Sequence, residues 1–379
     1  MDRLTEINPF VVGKYVSDRY FCDRSKETET LIRHLMNGRH VALIAPRRLG
    51  KSELIKHCFR QTEMTDNFYT FFVDIYATST LQDLVYVLSR AVYEQLKPRT
   101  DVWREKFFQI VSSLRVGFKL DALTGEPTFD IGLGDISAPD VTLQQIFAYI
   151  AAADRPCVIA IDEFQQIGNY PEKNVEALLR THMQQCENAV FVFAGSKRHV
   201  MAQMFNSPNQ PFYSSAIGME LGPIARETYA DFAQSLFEQR SKSLNRNVVD
   251  QIYEQLHGIT WFLQMMMNEL FALTADGQCC TVDYIPVAWQ QIMNTQDTIY
   301  REMMSHLSSR QKQLLQAIAR VGAVKEITSG RFIQNHKLGT ASSVQSALRV
   351  LLERQLVTQQ DKCYSIYDPF FSHWIVGHF

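Results

Sequence analysis

Short apolar runs alternate with helix-like segments through the first part of the chain. They span 40–45, 68–77, 156–163, 189–196 and 216–224. Their length and their β-branched and aromatic content predict buried parallel strands of an α/β sheet. Between the second and third runs, apolar and polar positions alternate around a glycine-containing turn, which predicts an inserted β-hairpin at about 115–134.

Beyond the fifth run, apolar residues recur at three- and four-residue spacing, which predicts helices. From Ser308 onward, three helical patterns precede a short hairpin pattern, the order of a winged helix-turn-helix. We therefore expect an α/β core at 1–225, a helical lid at 226–305 and a winged-helix domain at 306–379.

Composition narrows the class of protein. The chain has 379 residues, of which 46% are hydrophobic, so two or three globular units are expected. The net charge of -2 argues against general polyanion binding, although the segment after Ser308 is locally basic. The seven cysteines show no paired spacing, which favours reduced thiols. Without a signal-like or membrane-length apolar stretch, the sequence predicts a cytoplasmic protein that does not bind a membrane.

The stretch after the first apolar run ends like a phosphate-binding loop. The G-x-x-x-x-G-K-[ST] pattern begins with glycine, whereas this stretch begins with Ala45, and Pro46 favours an extended residue there that need not be glycine. Gly50 permits close backbone approach, Lys51 is expected to reach the β- and γ-phosphates, and Ser52 to bind Mg²⁺. The expected nucleotide-binding residues of this stretch are Ala45, Pro46, Arg47, Arg48, Leu49, Gly50, Lys51 and Ser52. Arg47 and Arg48 either add positive electrostatic potential near the phosphates, or they face solvent or a partner.

Two carboxylates end the third apolar run. Asp162 and Glu163 lie where ligand sites occur in open α/β sheets. Asp162 is expected to hold Mg²⁺, and Glu163 to orient and deprotonate the attacking water. Ser196 ends the fourth run and either bonds the water or γ-phosphate or caps the following helix, two roles that can coexist. Lys51, Glu163 and Ser196 are the candidate catalytic residues.

These motifs in this order, at 45–52, 159–167 and 191–201, resemble those of the AAA+-related ATPases of the STAND class. Within that class, the chain is most similar to the archaeal-type ATPase family, a likeness that the softer motifs at 207–213 and 367–375 extend. The resemblance implies a P-loop NTPase sheet with strand order 5-1-4-3-2, a helical lid and a winged helix. It also implies ATP or ADP with Mg²⁺ as ligands, and a segment near the adenine that contains Phe21, Asp23 and Arg24.

The chain departs from that pattern at the expected arginines. The segment 206–218, where oligomeric AAA+ machines carry an arginine finger, contains no basic residue. Arg180 or Arg198 is either a substitute charge or a solvated helix residue. Thr260 and Trp261 stand where a lid sensor arginine is usual. Because arginine fingers contribute about 10³–10⁵ in rate, we expect slow hydrolysis.

The sequence thus favours a nucleotide-operated switch in which ATP closes the lid and the winged helix controls an unknown protein or DNA partner, with ATP-dependent self-association as a further possibility. The alternative is a DNA-binding ATPase similar to origin-recognition or transposition-regulator proteins; a small-molecule kinase is disfavoured. The expected recognition helix presents polar residues that can contact phosphates or bases. These residues are Ser342, Ser343, Gln345, Ser346 and Arg349.

Overall fold

The computed structural model describes residues 7–13, 15–96, 118–120, 127–129, 138–360 and 362–379. Contacts divide the chain into two compact units. The core unit is Gly13–Ile224, and the carboxy-terminal unit is Met1–Val12 with Ala225–Phe379. The expected lid and winged-helix segments fall together in the second of these units.

A five-stranded parallel sheet organises the core unit. The described strands of this unit are β1 Val41–Ile44, β2 Tyr69–Asp74, β3 Phe118–Leu120, β4 Pro127–Phe129, β5 Cys157–Asp162, β6 Ala189–Gly195 and β7 Ile217–Glu220. The sheet order is β2-β5-β6-β1-β7. Counting only the sheet's own strands, this order reads 5-1-4-3-2 from the β7 edge, so the predicted topology is confirmed.

The inserted hairpin is described only in part. Strands β3 and β4 pair antiparallel with each other, apart from the main sheet. The remainder of the expected hairpin at 115–134 lies outside the described residues.

Helices cover both faces of the main sheet. They are α1 Ser25–Met36, α2 Lys51–Phe59, α3 Thr62–Asn67, α4 Leu81–Leu96, α5 Pro139–Ala151, α6 Val175–Gln185 and α7 Arg198–Asn206. Along β5, Ile159 and Ile161 belong to the apolar cluster on one face, whereas Val158 and Ala160 belong to the cluster on the other. Because both faces are buried, the strands are continuous apolar runs rather than alternating patterns.

The carboxy-terminal unit is mainly helical. Its helices are α8 Arg226–Glu238, α9 Arg246–Gln255, α10 Thr260–Leu273, α11 Tyr284–Ser305, α12 Ser309–Val321, α13 Gly330–Asn335, α14 Ala341–Glu353 and α15 Pro369–His378. Its strands are β8 Ser243–Leu244, β9 Cys279–Cys280, β10 Ala323–Val324, β11 Val357–Gln360 and β12 Cys363–Ile366.

Helices α12, α13 and α14 precede the β11–β12 hairpin, as the sequence predicts for a winged helix. Reciprocal side-chain and backbone hydrogen bonds cap two of these helices, between Ser308 and Gln311 and between Thr340 and Ser343. Helix α15 packs its buried Trp374 against Tyr300, and the indole Nε1 donates to Asp297 Oδ1 at 2.9 Å.

Two further expectations concern thiols and membranes. The seven cysteines are free, and only Cys279 is exposed. Within the described ranges, no helix is both long enough and apolar enough to cross a membrane.

Phe164, which follows the end of β5, provides a test of this core. Its fully buried ring contacts Phe193, Phe205 and Phe212. Phe164→Ala should lower the free energy of unfolding of the core unit by about 3–5 kcal/mol, because burial is lost and a cavity is left. Urea unfolding, assigned to the core unit by hydrogen exchange, measures this change. Tyr213→Ala, at a side chain that is 46% exposed, should change it by about 0.5 kcal/mol or less; equal losses would contradict the assignment of Phe164 to the core.

Candidate functional site

The loop between β1 and α2 carries the phosphate-binding pattern. Ala45 is buried, and its N–H donates to the Gly195 carbonyl at 3.1 Å, which continues the pairing of β1 with β6. The residue that replaces the first glycine is therefore an extension of the strand. Gly50 precedes α2 with a φ of 89°, a left-handed conformation that favours glycine. The loop turns sharply into the helix at this point, and Lys51 begins the helix.

Other residues of the loop differ in their surroundings. Leu49 is buried and Pro46 is exposed. The guanidinium of Arg47 lies over the Tyr76 ring, 5.4 Å from its centroid. Arg48 has a left-handed φ of 65°. Arg47 is thus held beside the carboxyl end of β2, next to an aromatic ring that is itself exposed.

Lys51 lies between the two carboxylates that end β5. Its Nζ is 2.7 Å from Asp162 Oδ1 and 3.1 Å from Glu163 Oε1. The Ser52 hydroxyl donates to Asp162 Oδ2. All three charged side chains are largely buried. The structure therefore brings the lysine and serine of the loop into direct contact with both acidic residues that the sequence singles out.

Glu163 occupies a strained backbone position. Its φ is 57°, a left-handed value that is uncommon for a non-glycine residue. The turn of 3-10 helix that follows, Phe164–Asn169, begins directly after it. This turn directs the Glu163 carboxylate toward Ser196, whose Oγ donates to Glu163 Oε2 at 2.7 Å.

The structure argues against one of the two roles considered for Ser196, that of the helix cap. Helix α7 begins at Arg198, and its capping position is Lys197, with no side-chain cap. The Ser196 hydroxyl instead bonds Glu163. Ser196 is therefore a member of the carboxylate network and not the helix cap.

Gln165 is a member of this network that the sequence reasoning missed. Its Nε2 donates to Glu163 Oε2 at 2.5 Å and to Ser196 Oγ at 3.4 Å. The signal that could have drawn attention to it is an amide two residues after Glu163, directly after Phe164.

Burial and neighbouring charge shift the pKa of Glu163 in opposite directions. Burial raises the pKa of its carboxyl. The Lys51 ammonium and the hydrogen bonds from Ser196, Lys51 and Gln165 lower that pKa, and together they outweigh burial. The Glu163 pKa is thus held below its ordinary value, and the group is ionised at neutral pH.

The oxygen donors at this site fit Mg²⁺. The Ser52 hydroxyl and the Asp162 carboxylate adjoin each other at the start of α2. Mg²⁺ prefers oxygen ligands and is commonly bound by one or two carboxylates together with substrate phosphates and water. Ser52 and Asp162 are therefore the residues that would hold the ion.

The segment expected near the adenine has a different structural role at each of its three residues. Phe21 stacks on His57 with ring centroids 4.2 Å apart, and Asp23 is exposed. Arg24 is buried, and its guanidinium donates to the Leu49 carbonyl at 3.1 Å. Arg24 thereby supports the backbone of the phosphate loop.

Neither candidate substitute arginine touches the carboxylate network. Arg198 is exposed and forms an ion pair with Glu220 at 2.9 Å. Arg180 lies close enough to His40 to lower the pKa of that imidazole, after burial, which lowers it more. His40 precedes β1 at the amino ends of the strands, so Arg180 lies at the opposite edge of the sheet from the phosphate loop.

Family comparison agrees with this geometry. A family profile described as an ATPase domain predominantly from Archaea matches residues 21–266, more than half of the chain. The chain belongs to this ATPase family. A second profile, described as a probable winged helix domain, matches residues 298–377 of the ATPase. Among curated proteins, none matches the sequence.

Solved structures share the fold of the ATPase. A Walker-type ATPase of Pyrococcus abyssi is 19% identical, with a TM-score of 0.61 over 97% of this chain and 99% of that one. The ORC2 protein of Aeropyrum pernix, in ADPNP and ADP complexes, is 13% identical, with a TM-score of 0.60 over 97% and 96%. The ORC1 protein of Aeropyrum pernix in complex with DNA is 12% identical, with a TM-score of 0.50 over 94% and 93%. At these identities the likeness establishes the fold, a P-loop ATPase core followed by a winged helix.

The lysine–carboxylate contact has a consequence for stability. Lys51→Met leaves Asp162 and Glu163 buried without their cation, which should cost about 3–5 kcal/mol of unfolding free energy at pH 7. The depressed pKa of wild-type Glu163 contributes stability that is present above the unfolded pKa and is lost as the pH falls. In the variant, protonation relieves the repulsion, so the difference from wild type should shrink between pH 7 and pH 4.

Urea unfolding at several pH values measures this difference. Lys26→Met, at an exposed lysine of α1, is the matched control and should leave stability unchanged at each pH. If Lys51→Met lowers the free energy of unfolding by the same amount at every pH, the result contradicts the contact of Lys51 with the two carboxylates.

Proposed function

We propose that the protein binds Mg-ATP at the 45–52 loop, hydrolyses it slowly, and acts as a nucleotide-operated switch that controls a partner through its winged-helix domain. One observation carries the proposal: the lysine expected to bind phosphate is bonded to both Asp162 and Glu163. ATP must replace these carboxylates at Lys51, and this exchange changes the surroundings of Glu163. Nucleotide occupancy is thereby coupled to a rearrangement inside the core unit.

The loop supplies the binding contacts. Backbone N–H groups at the start of α2 and the helix dipole favour phosphate oxygens, and the left-handed Gly50 lets them approach. Lys51 exchanges its carboxylate partners for the β- and γ-phosphates. Ser52 and Asp162 would hold Mg²⁺, which when bound supplies positive charge to the phosphates.

Glu163 and Ser196 supply the groups for hydrolysis. Glu163 accepts a proton from a water molecule as the water oxygen attacks the γ-phosphorus, the bond to the β,γ-bridging oxygen breaks, and ADP leaves. Ser196 is bonded to Glu163 and is placed to orient the carboxylate, the water or the γ-phosphate. Phe21, Asp23 and Arg24 would border the adenine, with Arg24 joined to the loop backbone through Leu49.

Slow turnover follows from the placement of the arginines. The segment 206–218 contains no basic residue, Arg198 is paired with Glu220, and the lid position is occupied by Thr260 and Trp261. A missing arginine finger corresponds to a loss of about 10³–10⁵ in rate. A long-lived ATP state suits a switch, a role consistent with the STAND class, and ATP-dependent self-association would be one form of its output.

Two substitutions test the switch. Glu163→Gln removes the base, so kcat should fall at least about 100-fold while ATP binding is kept. Lys51→Ala should abolish ATP binding. Turnover by phosphate release and binding by equilibrium titration separate the two effects, and partners captured with Glu163→Gln but lost with Lys51→Ala would identify what the ATP state controls. If the protein hydrolyses ATP rapidly in the absence of a partner, and Glu163→Gln leaves that rate unchanged, the proposal is wrong.

A second candidate function is a DNA-binding ATPase. It is favoured by the exposed face of α14, where the Arg349 side chain is 76% exposed beside Ser342, Gln345 and Ser346, which are exposed as well. Serine, glutamine and arginine contact phosphates and base edges. The fold neighbour ORC1 is described in complex with DNA.

Salt-dependent binding tests this candidate. If α14 contacts DNA, Arg349→Ala should weaken duplex binding and reduce the slope of log affinity against log salt by about 1, because one phosphate contact is lost. Arg33→Ala, at an exposed arginine of α1 in the core unit, should leave the slope unchanged. If fluorescence anisotropy detects no binding of duplex DNA by the wild-type protein at about 50 mM salt, this candidate function is wrong.

A further inference from the structure

Gln165 is a buried amide that packing alone does not account for. Its side chain is 6% exposed, yet its carbonyl Oε1 has no hydrogen-bond partner among the described residues. A buried acceptor without a partner costs about 1–3 kcal/mol. An apolar side chain of similar length would fill the same space without this cost, so the amide is explained by what its Nε2 does.

The carbonyl of the amide lies against Gly195 at the end of β6. A Cβ atom on Gly195 would lie 2.6 Å from Gln165 Oε1 and would also collide with the side chain of Met201. A side chain at the end of β6 would therefore require Gln165 or Met201 to move. The Nε2 is consequently directed to Glu163 Oε2 and Ser196 Oγ.

The two oxygens of Glu163 have different partners. Oε2 accepts from Gln165 at 2.5 Å and from Ser196 at 2.7 Å, whereas the ammonium of Lys51 is the donor to Oε1, at 3.1 Å. When Lys51 turns to phosphate, Oε2 keeps both of its donors and Oε1 loses its own. Oε1 is then the oxygen available to accept a proton from water.

We infer that Gln165 is a positioning residue for hydrolysis, which holds Glu163 by Oε2 so that Oε1 is presented to the attacking water. The inference rests on the proposed function, since it assigns Glu163 as the base. The inference also explains the proximity of Gln165 and Gly195: the glycine leaves space for the amide, and the amide orients the carboxylate. Ser196 donates to Glu163 Oε2 through one rotatable hydroxyl, and the Gln165 amide adds a second donor to the same oxygen.

Gln165→Met tests this role, because it keeps the length of the side chain and removes the amide. We expect kcat to fall roughly ten- to a hundredfold, since misplacing a catalytic group by about 1 Å costs up to ~100-fold. The Kd for ATP should change less than about threefold, because Gln165 contacts neither Lys51 nor Ser52.

Gln166→Met is the matched control. Gln166 lies in the same turn, but its Nε2 donates to the Thr78 carbonyl at 3.0 Å and not to Glu163. It should leave both kcat and the Kd for ATP unchanged. If Gln165→Met fails to fold, Gln165→Asn keeps a polar group while withdrawing the amide by one methylene, and the same loss of kcat with little change in the Kd for ATP is expected.

The outcomes separate this inference from the function beneath it. An unchanged kcat in the Gln165 variants, with Glu163→Gln inactive, would overturn the positioning role alone. A raised kcat would overturn it too, because Gln165 would then restrain Glu163. Wild-type hydrolysis that persists in Glu163→Gln would instead overturn the proposed function.

Discussion

The contact of the Lys51 ammonium with two buried carboxylates is the interaction on which the site depends. Asp162 and Glu163 are largely removed from water, and buried charge is tolerated only when it is paired and hydrogen-bonded. The lysine comes from the loop after β1, and the carboxylates from the end of β5, with β6 lying between these two strands. The ion pairs therefore bridge β6 and bring the loop to the carboxyl edge of the sheet.

The same contact determines what a phosphate ligand must do. Lys51 can serve a nucleotide only by leaving Asp162 and Glu163, so binding exchanges one set of anionic partners for another. Asp162 keeps its Ser52 partner and can share it with a cation. Glu163 loses the ammonium that contributes most to lowering its pKa, while burial, which raises the pKa, remains. The exchange thus removes the ammonium from the carboxylate that the proposed mechanism assigns as the general base.

The fold and the main site residues could be predicted because they depend on local patterns. Strands buried on both faces appear as continuous apolar runs, and carboxylates at the end of one such run must lie at the ligand-binding edge. Gln165 could not be predicted in this way, because its direction follows from the left-handed Glu163 and from the space at Gly195. The Arg24 contact with the Leu49 carbonyl and the Arg198 pair with Glu220 depend likewise on tertiary proximity, which periodicity does not encode.

Several energetically unfavourable features of this structure lie together where β5 ends. Within four consecutive residues the chain carries two largely buried carboxylates, a left-handed non-glycine backbone at Glu163 and an unpartnered amide oxygen at Gln165. A strand end that served only packing would need none of these, and each costs about 1–3 kcal/mol or more. Phe164, in the middle of this stretch, is fully buried among aromatic rings, so packing of one residue holds its strained neighbours in place. Unfavourable local features that a rigid core holds in place are the arrangement expected of a catalytic segment.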